Sequence, residues 1–174
     1  MSMNWKNDPN LSAMSDNDHL TQVAHSLTDA IHGNPEDARA WFLRGNAYLD
    51  RGANDFAASD YSKVIELTPD DSVAYNNRGI AFRNSGLTDL AIADYTKALE
   101  LDADYRDAHN NLGMALSDKE EYEQAIVHFT RAIELDPNYW YAYNNRGMAL
   151  WATGRRDDGI RDYERAKQLA TERR

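Results

Sequence analysis

Histidines and paired carboxylates are the residues of this chain whose chemistry could support catalysis or metal binding. The sequence has five histidines and no cysteine, which excludes thiolate catalysis, disulfides and cysteine-based zinc sites. His25 and His32 lie seven positions apart, whereas metal ligands on one helix face are more often three or four apart. The carboxylate pairs Glu120–Glu121 and Asp157–Asp158 fall near predicted turns, and acid–base catalysis needs a desolvated pocket. We therefore predict no enzymatic activity, no metal site and no cofactor.

Adjacent asparagines offer a different chemistry, the recognition of a peptide backbone. The pairs are Asn76–Asn77, Asn110–Asn111 and Asn144–Asn145, at a spacing of 34 residues. One side-chain amide provides both a donor and an acceptor, so it can satisfy both backbone groups of a ligand residue. Asparagine is disfavoured in the middle of a helix by roughly 0.5 kcal/mol relative to alanine. Repeated use of asparagine in helices therefore indicates that another interaction offsets this cost.

The net charge limits the classes of partner. The 174 residues include 19 Lys and Arg against 29 Asp and Glu, which gives a net charge of −10 and a pI of about 4.8. Such a chain repels nucleic acid and anionic lipid surfaces. No apolar run approaches the roughly 18 residues of a membrane span, and residues 1–8 lack the apolar core of a signal peptide. We predict a cytoplasmic protein that binds no nucleic acid and does not insert into membranes.

A repeat of 34 residues positions the asparagines. It is marked by one glycine per unit, at Gly45, Gly79, Gly113 and Gly147. Aromatic and small residues keep the same register, and each unit contains two apolar patterns of helical period with a turn between them. Glycine stands in that turn except in the third unit, which has Glu120. The pattern predicts an all-α chain of four helix hairpins, at residues 38–71, 72–105, 106–139 and 140–173.

The repeated pattern of Trp/Tyr, Gly, Tyr, Ala, Phe/Tyr, Ala and Pro resembles the tetratricopeptide repeat (TPR) family over 136 of the 174 residues. Departures are local, with His109 in the aromatic column, Gly159 in the alanine column, and Ala103 and Thr171 at proline positions. The resemblance implies a right-handed superhelical solenoid of antiparallel hairpins. It also implies a concave groove, lined by the first helix of each hairpin, that binds proteins or peptides.

The residues before the first repeat continue its register backwards. Val23, Leu27, Ala30 and Pro35 fall in the columns of a second helix, which predicts an N-terminal capping helix and linker at residues 17–37. Residues 1–16 are rich in asparagine and aspartate, and we predict a flexible tail there.

The groove implied by the resemblance contains the proposed binding residues. Asn77, Asn111 and Asn145, which we call the asparagine ladder, match the ladder by which some superhelical TPR proteins hold a peptide backbone, and Leu43 breaks it in the first repeat. The predicted peptide-binding residues are Asn46, Asn77, Asn111, Asn145, Ile80, Met114, Met148, Tyr141 and Trp151. Aromatic residues and Met are enriched at interface cores, which favours this assignment.

A second TPR subclass binds the C-terminal carboxylates of heat-shock chaperones and fits less well. Asn46 and Asn77 match the two asparagines of its clamp. Phe42, Asp107 and Asn111 stand where the clamp has basic residues, and an aspartate there would repel a carboxylate. The resemblance therefore disfavours binding of this kind.

Two functions remain open from the sequence. We predict a non-catalytic scaffold or adaptor that holds an extended peptide through the asparagine ladder. The alternative is a homo-oligomeric structural scaffold that assembles through its N-terminal tail or the ends of the solenoid. The asparagines could also form a solvated surface, and the aromatic residues of the last repeat could shield its end rather than anchor a ligand.

Two further expectations concern the hairpins. Arg44, Arg78 and Arg146 precede the repeat glycine, and the same repeats have aspartate 16 positions later, so we predict an Arg–Asp pair within each hairpin. The third repeat has Leu112 and His128 instead. Because glycine in a helix costs about 1 kcal/mol against alanine, we also predict that Gly159→Ala stabilises the protein, provided that the neighbouring helix leaves room.

Overall fold

The computed structural model describes residues 16–172, and this range contains nine α-helices and no β-strand. The helices are α1 (Asp16–Gly33), α2 (Ala38–Asp50), α3 (Asn54–Leu67), α4 (Ser72–Asn84), α5 (Thr88–Leu101), α6 (Arg106–Asp118), α7 (Tyr122–Leu135), α8 (Trp140–Ala152) and α9 (Arg156–Glu172). They form two compact units that divide between Pro69 and Asp70, with α1–α3 in the first and α4–α9 in the second. The predicted tail lies outside the described residues, apart from Asp16, at which α1 begins.

Short side chains and left-handed turns set the ends of the helices. The Asp37 carboxylate accepts hydrogen bonds from the backbone N–H groups of Arg39 and Ala40, at 3.0 and 3.2 Å, and so caps α2. Asp71 caps α4 in the same way. Three of the turns between the helices of a hairpin contain a glycine at positive φ, and the fourth contains Glu120 at φ 63°. The chain therefore adopts the same left-handed turn in all four hairpins.

In the first unit, α1 packs against α2, and α2 forms a hairpin with α3. Ala24 and Ile31 of α1 are buried. At Gly45 the two helices of the hairpin approach closely, because a Cβ there would lie 2.9 Å from the ring of the buried Tyr61. Glycine at this position thus makes room for the aromatic ring of the partner helix.

The second unit consists of three hairpins, α4–α5, α6–α7 and α8–α9, that pack in sequence. Its core includes Tyr95, Leu116, Phe129 and Ala149, all buried. The ring of Tyr95 lies over Gly79 as Tyr61 lies over Gly45 in the first unit, and Phe129 lies over Gly113 in the same way. The structure confirms the predicted all-α solenoid of helix hairpins. Within residues 16–172, no helix has the combination of length and apolar character that crossing a bilayer requires.

The last hairpin departs from this packing. Tyr163 occupies the aromatic column but is 61% exposed, and it does not lie over the repeat glycine. The backbone of Gly159 takes that place, since a Cβ at Gly147 would lie 3.0 Å from the Gly159 carbonyl oxygen. A Cβ at Gly159 would in turn lie 2.8 Å from the Gly147 oxygen and 2.5 Å from Cδ1 of Trp151. The neighbouring helix therefore leaves no room, so the condition on which Gly159→Ala was predicted to stabilise the protein is not met.

Buried ion pairs join the two helices of three hairpins. They are Arg44–Asp60, Arg78–Asp94 and Arg146–Asp162. In each pair, Nε and Nη2 of the arginine donate to the two carboxylate oxygens at 2.7 to 2.9 Å. The hydrogen bond to aspartate raises the pKa of each arginine above its ordinary value. The predicted Arg–Asp pairs are confirmed in all three repeats that have these residues.

Candidate functional site

Asparagines of the second unit join the first helices of successive hairpins by side-chain hydrogen bonds. Nδ2 of Asn111 on α6 donates to Oδ1 of Asn76 on α4 at 2.9 Å, and Nδ2 of Asn145 on α8 donates to Oδ1 of Asn110 on α6 at 3.0 Å. The acceptors, Asn76 and Asn110, are only 2% and 4% exposed. These bonds between helices offset the low helix propensity of asparagine, as the sequence indicated that some interaction must.

The three residues of the asparagine ladder lie one on each of α4, α6 and α8, and all are half-buried. Oδ1 of Asn77 accepts a hydrogen bond from Nδ2 of Asn76 at 3.2 Å. Within the part of the chain that the structure describes, no donor bonds Oδ1 of Asn111 or Asn145, whereas one N–H of each amide is held by the preceding helix. The held N–H groups fix the orientation of these amides and leave two oriented acceptors.

The apolar residues of the predicted site differ in exposure. Ile80 and Met114 are partly buried against the core, and the Met114 sulfur accepts a hydrogen bond from Nδ2 of Asn110 at 3.4 Å. Met148 occupies the equivalent position on α8 and is 68% exposed. An incoming apolar side chain therefore has its largest contact area at Met148.

Aromatic residues flank Met148 on α8. Tyr141, Asn145 and Met148 follow i, i+4, i+7 spacing and so lie on one stripe of the helix. The ring of Tyr141 stacks on that of Trp140, with centroids 3.7 Å apart, and is half exposed. Trp151 is also half exposed. Helix α8 thus presents an aromatic and thioether surface beside the acceptor oxygen of Asn145.

Charged residues near the face formed by α4, α6 and α8 are paired with residues of opposite charge. Arg83 of α4 donates to Asp118 of α6, with a shortest distance of 2.6 Å. Asp107 accepts from Arg106 at 2.7 Å, and the same arginine also pairs with Asp136 at 2.8 Å. The face of α4, α6 and α8 therefore presents ion pairs rather than a single sign of charge.

Asn46 lies on α2, in the first unit, apart from the other predicted site residues, which all belong to the second unit. Its Oδ1 accepts a hydrogen bond from the hydroxyl of the buried Tyr61 at 2.6 Å. The side chain thus has a partner within its own hairpin, and its role in binding stays a prediction.

The residues considered for catalysis do not form a site in the described part of the chain. His25 and His32 are exposed on α1. No three histidine, aspartate or glutamate side chains in residues 16–172 come together as ligands for one metal ion.

Sequence reasoning missed the buried role of Asn76 and Asn110. It assigned Asn77 and Asn111 to the ligand and left the preceding asparagines without a function. The signal was present, because Asn76 and Asn110 each lie three residues before a repeat glycine and so share its face of the helix, which packs against the partner helix. A polar residue beside the buried stripe of a helix needs a hydrogen-bond partner.

Comparisons with known families agree with the observed hairpins. Tetratricopeptide repeat models match residues 72–105 and 107–139, and 128–168, and a TPR repeat model matches residues 45–86. Together these matches span most of the chain from α2 to α9. No curated protein matches the sequence.

Several solved structures share the fold. MamA has a TM-score of 0.81 and 22% identity, over 92% of this chain and 97% of that chain. YrrB, described as a TPR protein with an unusual peptide-binding site, has a TM-score of 0.72 and 19% identity, over 87% of this chain and 78% of its own. The first TPR of Spaghetti (RPAP3), bound to the HSP90 peptide SRMEEVD, has a TM-score of 0.66 and 27% identity, over 67% of this chain and 93% of its own.

Proposed function

The chain belongs to the tetratricopeptide repeat family, and we propose that it is a non-catalytic scaffold that binds an extended peptide along the face of α4, α6 and α8. The observation that carries this proposal is the pair of oriented acceptors, Oδ1 of Asn111 and of Asn145. They lie in the same register of successive repeats and are held by hydrogen bonds to the preceding helix. Such preorganised groups bind a ligand at a low entropic cost.

The proposed ligand donates backbone N–H groups to these oxygens. Neighbouring packed helices lie roughly 8–10 Å apart, and an extended chain rises about 3.3 Å per residue. One asparagine of the ladder would therefore meet about every third residue of the peptide. Three asparagines would hold a segment of about nine or more residues, with little dependence on its side chains.

Apolar side chains of the peptide would contact the aromatic and thioether surface of the same helices. Met148, Tyr141 and Trp151 would bind them at α8, Met114 at α6 and Ile80 at α4. Because the charges near this face are paired, we expect affinity to depend weakly on salt. We do not propose the carboxylate clamp of the TPR subclass that binds chaperone C-termini, since Asp107 stands at one of its basic positions.

The similar structures support a peptide as the class of ligand, but not a particular peptide. One is described as having a peptide-binding site, and another is bound to a peptide of HSP90. Neither assigns a partner to this protein.

The test uses peptides that bind the protein, selected from a display library of random sequences. The variant Asn77→Ala/Asn111→Ala/Asn145→Ala should bind the selected peptides at least about tenfold more weakly, since each lost hydrogen bond costs about 0.5–1.5 kcal/mol. The matched control Lys97→Ala/Arg131→Ala/Arg165→Ala has the same 34-residue spacing on the second helices and should retain full affinity. Circular dichroism would verify that both variants fold.

N-methylated peptides test the direction of the hydrogen bonds. Methylation of a backbone nitrogen removes the donor, so methylation at one in three positions should weaken binding and at the other positions should not. Equal binding of all methylated peptides, or full affinity of the asparagine variant, would contradict the proposal.

A homo-oligomeric scaffold is the second candidate, and the exposed end of the last hairpin favours it. Ile160 and Tyr163 are 45% and 61% exposed, whereas the equivalent residues of α7 are partly and fully buried. A second copy could cover this surface. Light scattering across a range of concentrations distinguishes the candidates, because a dimer that Ile160→Glu/Tyr163→Glu dissociates would support assembly through this end. A monomer at all concentrations would exclude it.

A further inference from the structure

The third hairpin lacks the ion pair of the other three. Leu112 stands where they have arginine, and His128 where they have aspartate. Its helices are joined by a contact between two histidines instead, with Nδ1 of His109 on α6 3.1 Å from Nδ1 of His128 on α7. The rings are stacked, with centroids 5.4 Å apart and planes inclined by 29°. Because both contacting atoms are imidazole nitrogens, the contact depends on where the protons lie.

The surroundings of His109 assign those protons. Its Nε2 lies 3.1 Å from the carbonyl oxygen of Ala103, which can only accept a hydrogen bond. His109 therefore has its proton on Nε2, and in the neutral ring Nδ1 carries the lone pair. His128 must then donate from its Nδ1, and the lone pair of His128 lies on Nε2. In the neutral pair, a single proton lies between the rings.

We propose that the His109–His128 pair takes up one proton with its hydrogen bond intact and is broken by a second, so that the link within the third hairpin is lost in mild acid. The first proton binds Nε2 of His128, away from the contact. A second would place two N–H donors opposite each other at 3.1 Å, and both rings would carry positive charge. The Arg–Asp pairs of the other hairpins have no equivalent step, since arginine and aspartate ordinarily keep their charges between pH 5 and 7.

Burial and the contact between the two rings also oppose protonation of the pair. Burial lowers the pKa of both histidines, and His109 lowers the pKa of His128 further. Arg131 of α7 lowers the pKa of His109, whereas Asp104, just before α6, raises it. These two residues pair with each other at 2.7 Å, so their effects on His109 partly cancel.

The other helices packed against α6 and α7 are α4, α5 and α8. Their buried charges are already engaged in the neighbouring hairpins, in Arg78–Asp94 and Arg146–Asp162. Thr96 of α5 occupies the position at which Thr130 of α7 bonds Arg146, but it bonds its own backbone at Ile92 instead. The arginines of these helices are thus held in their own hairpins and do not replace the histidine contact of the third hairpin.

The sign of the pH dependence follows from the lowered pKa values. The opened state, in which the histidines have a pKa of about 6.5, binds more protons than the folded state, so stability falls as the pH falls through that value. The equilibrium constant for local opening should therefore be about tenfold larger at pH 5.5 than at pH 7.5 for each proton that the opened state binds and the folded state does not. The effect should be largest in α6 and α7.

Hydrogen exchange at pH 7.5 and 5.5, corrected for intrinsic exchange rates, tests this proposal. In the wild type, amides of α6 and α7 should lose about tenfold in protection at pH 5.5, and those of α4 and α5 should lose much less. The variant His109→Tyr/Leu112→Arg/His128→Asp transfers the residues of the second repeat into the third and should lose no protection. The control His19→Asn/His25→Asn/His32→Asn should behave as the wild type, because it removes only the histidines of α1.

Nitrogen-15 NMR of the imidazoles provides a readout that needs no variant. At pH 7.5 we expect His109 protonated on Nε2, and as the pH falls the first proton should bind Nε2 of His128 while the hydrogen bond between the two Nδ1 atoms stays intact. Two independent titrations near pH 6.5 would overturn the proposal. Equal loss of protection in the second and third hairpins, or a pH dependence that persists in the triple transfer variant, would overturn it as well.

Discussion

Asn145 donates its side-chain N–H to Oδ1 of Asn110, 3.0 Å away, and so joins α8 to α6 by an amide–amide hydrogen bond. Asn111 and Asn76 form the same bond between α6 and α4. In each bond the first asparagine of a pair is the buried acceptor, and the second asparagine of the next pair is the donor. The adjacent asparagines therefore have different roles, one in packing and one at the face proposed to bind a peptide.

The buried role of Asn110 can be measured against an equivalent residue that lacks it. Asn110→Ala should lower the free energy of unfolding by about 1–3 kcal/mol, because it leaves the Asn145 amide without its acceptor. Asn144 occupies the same position of the last repeat, and its amide donates a weak hydrogen bond to the Met148 sulfur, at 3.8 Å, instead of accepting one from another helix. Asn144→Ala should change stability by less than about 0.5 kcal/mol in urea unfolding. Equal losses for the two variants would show that the bond between helices contributes nothing.

Ion pairs between arginine and aspartate should stabilise the fold more strongly where they are more deeply buried. Asp94 is almost fully buried beside Arg78, so Asp94→Ala removes the carboxylate partner of a partly buried guanidinium and should cost about 2–4 kcal/mol. Asp104 is largely exposed beside Arg131, and Asp104→Ala should cost less than about 1 kcal/mol. Chemical denaturation of both variants, together with the arginine single variant and the double variant of each pair, completes two double-mutant cycles and measures the two interaction energies. A coupling in the exposed pair as large as that in the buried pair would contradict this ranking.

Gly159→Ala should destabilise the protein, despite the higher helix propensity of alanine. The new Cβ would lie 2.8 Å from the backbone oxygen of Gly147, which cannot move without shifting α8, and overpacking of this kind costs about 1–3 kcal/mol. Gly33 provides the control, since a Cβ there has no atom within 4 Å. We expect a lower melting temperature for Gly159→Ala and little change for Gly33→Ala. An increase in melting temperature for Gly159→Ala would mean that the two helices can separate at low cost.

The sequence predicted those features that depend on spacing along the chain. The hairpins and the Arg44–Asp60 pair are of this kind, because a constant period places the same columns in contact in every repeat. Residues that depart from the packing of their column were harder to predict. Tyr163 shares the column of Tyr61 but is exposed, since Gly159 brings the backbone of α9 into the space that the ring fills elsewhere.

The candidate site was predictable in position but not in detail. The spacing placed Asn111 and Asn145 on successive first helices. The 34-residue period alone could not show which asparagine of each pair is the buried acceptor, since both asparagines recur at that period. The histidine contact of the third hairpin depends on the distance between two side chains, which no periodicity specifies. The sequence revealed only that Leu112 and His128 replace an arginine and an aspartate together.

The turn of the third hairpin offers a stabilising substitution. Glu120 adopts φ 63°, and the equivalent turns have glycine at φ 73° to 83°. A left-handed conformation costs a non-glycine residue about 1–2 kcal/mol, whereas glycine adds about 0.5–1 kcal/mol of entropy to be lost on folding. Glu120→Gly should therefore raise the free energy of unfolding by about 0.5–1 kcal/mol.

The reverse change at Gly86 isolates the contribution of the backbone. A Cβ at Gly86 has no atom within 4 Å, so Gly86→Glu introduces no steric contact there and should destabilise only through its positive φ. The two substitutions lie in different hairpins, and we expect their effects on the melting temperature to have opposite signs and to add in the double variant. If Glu120→Gly lowers the melting temperature, the Glu120 side chain must contribute an interaction that exceeds the cost of its backbone conformation.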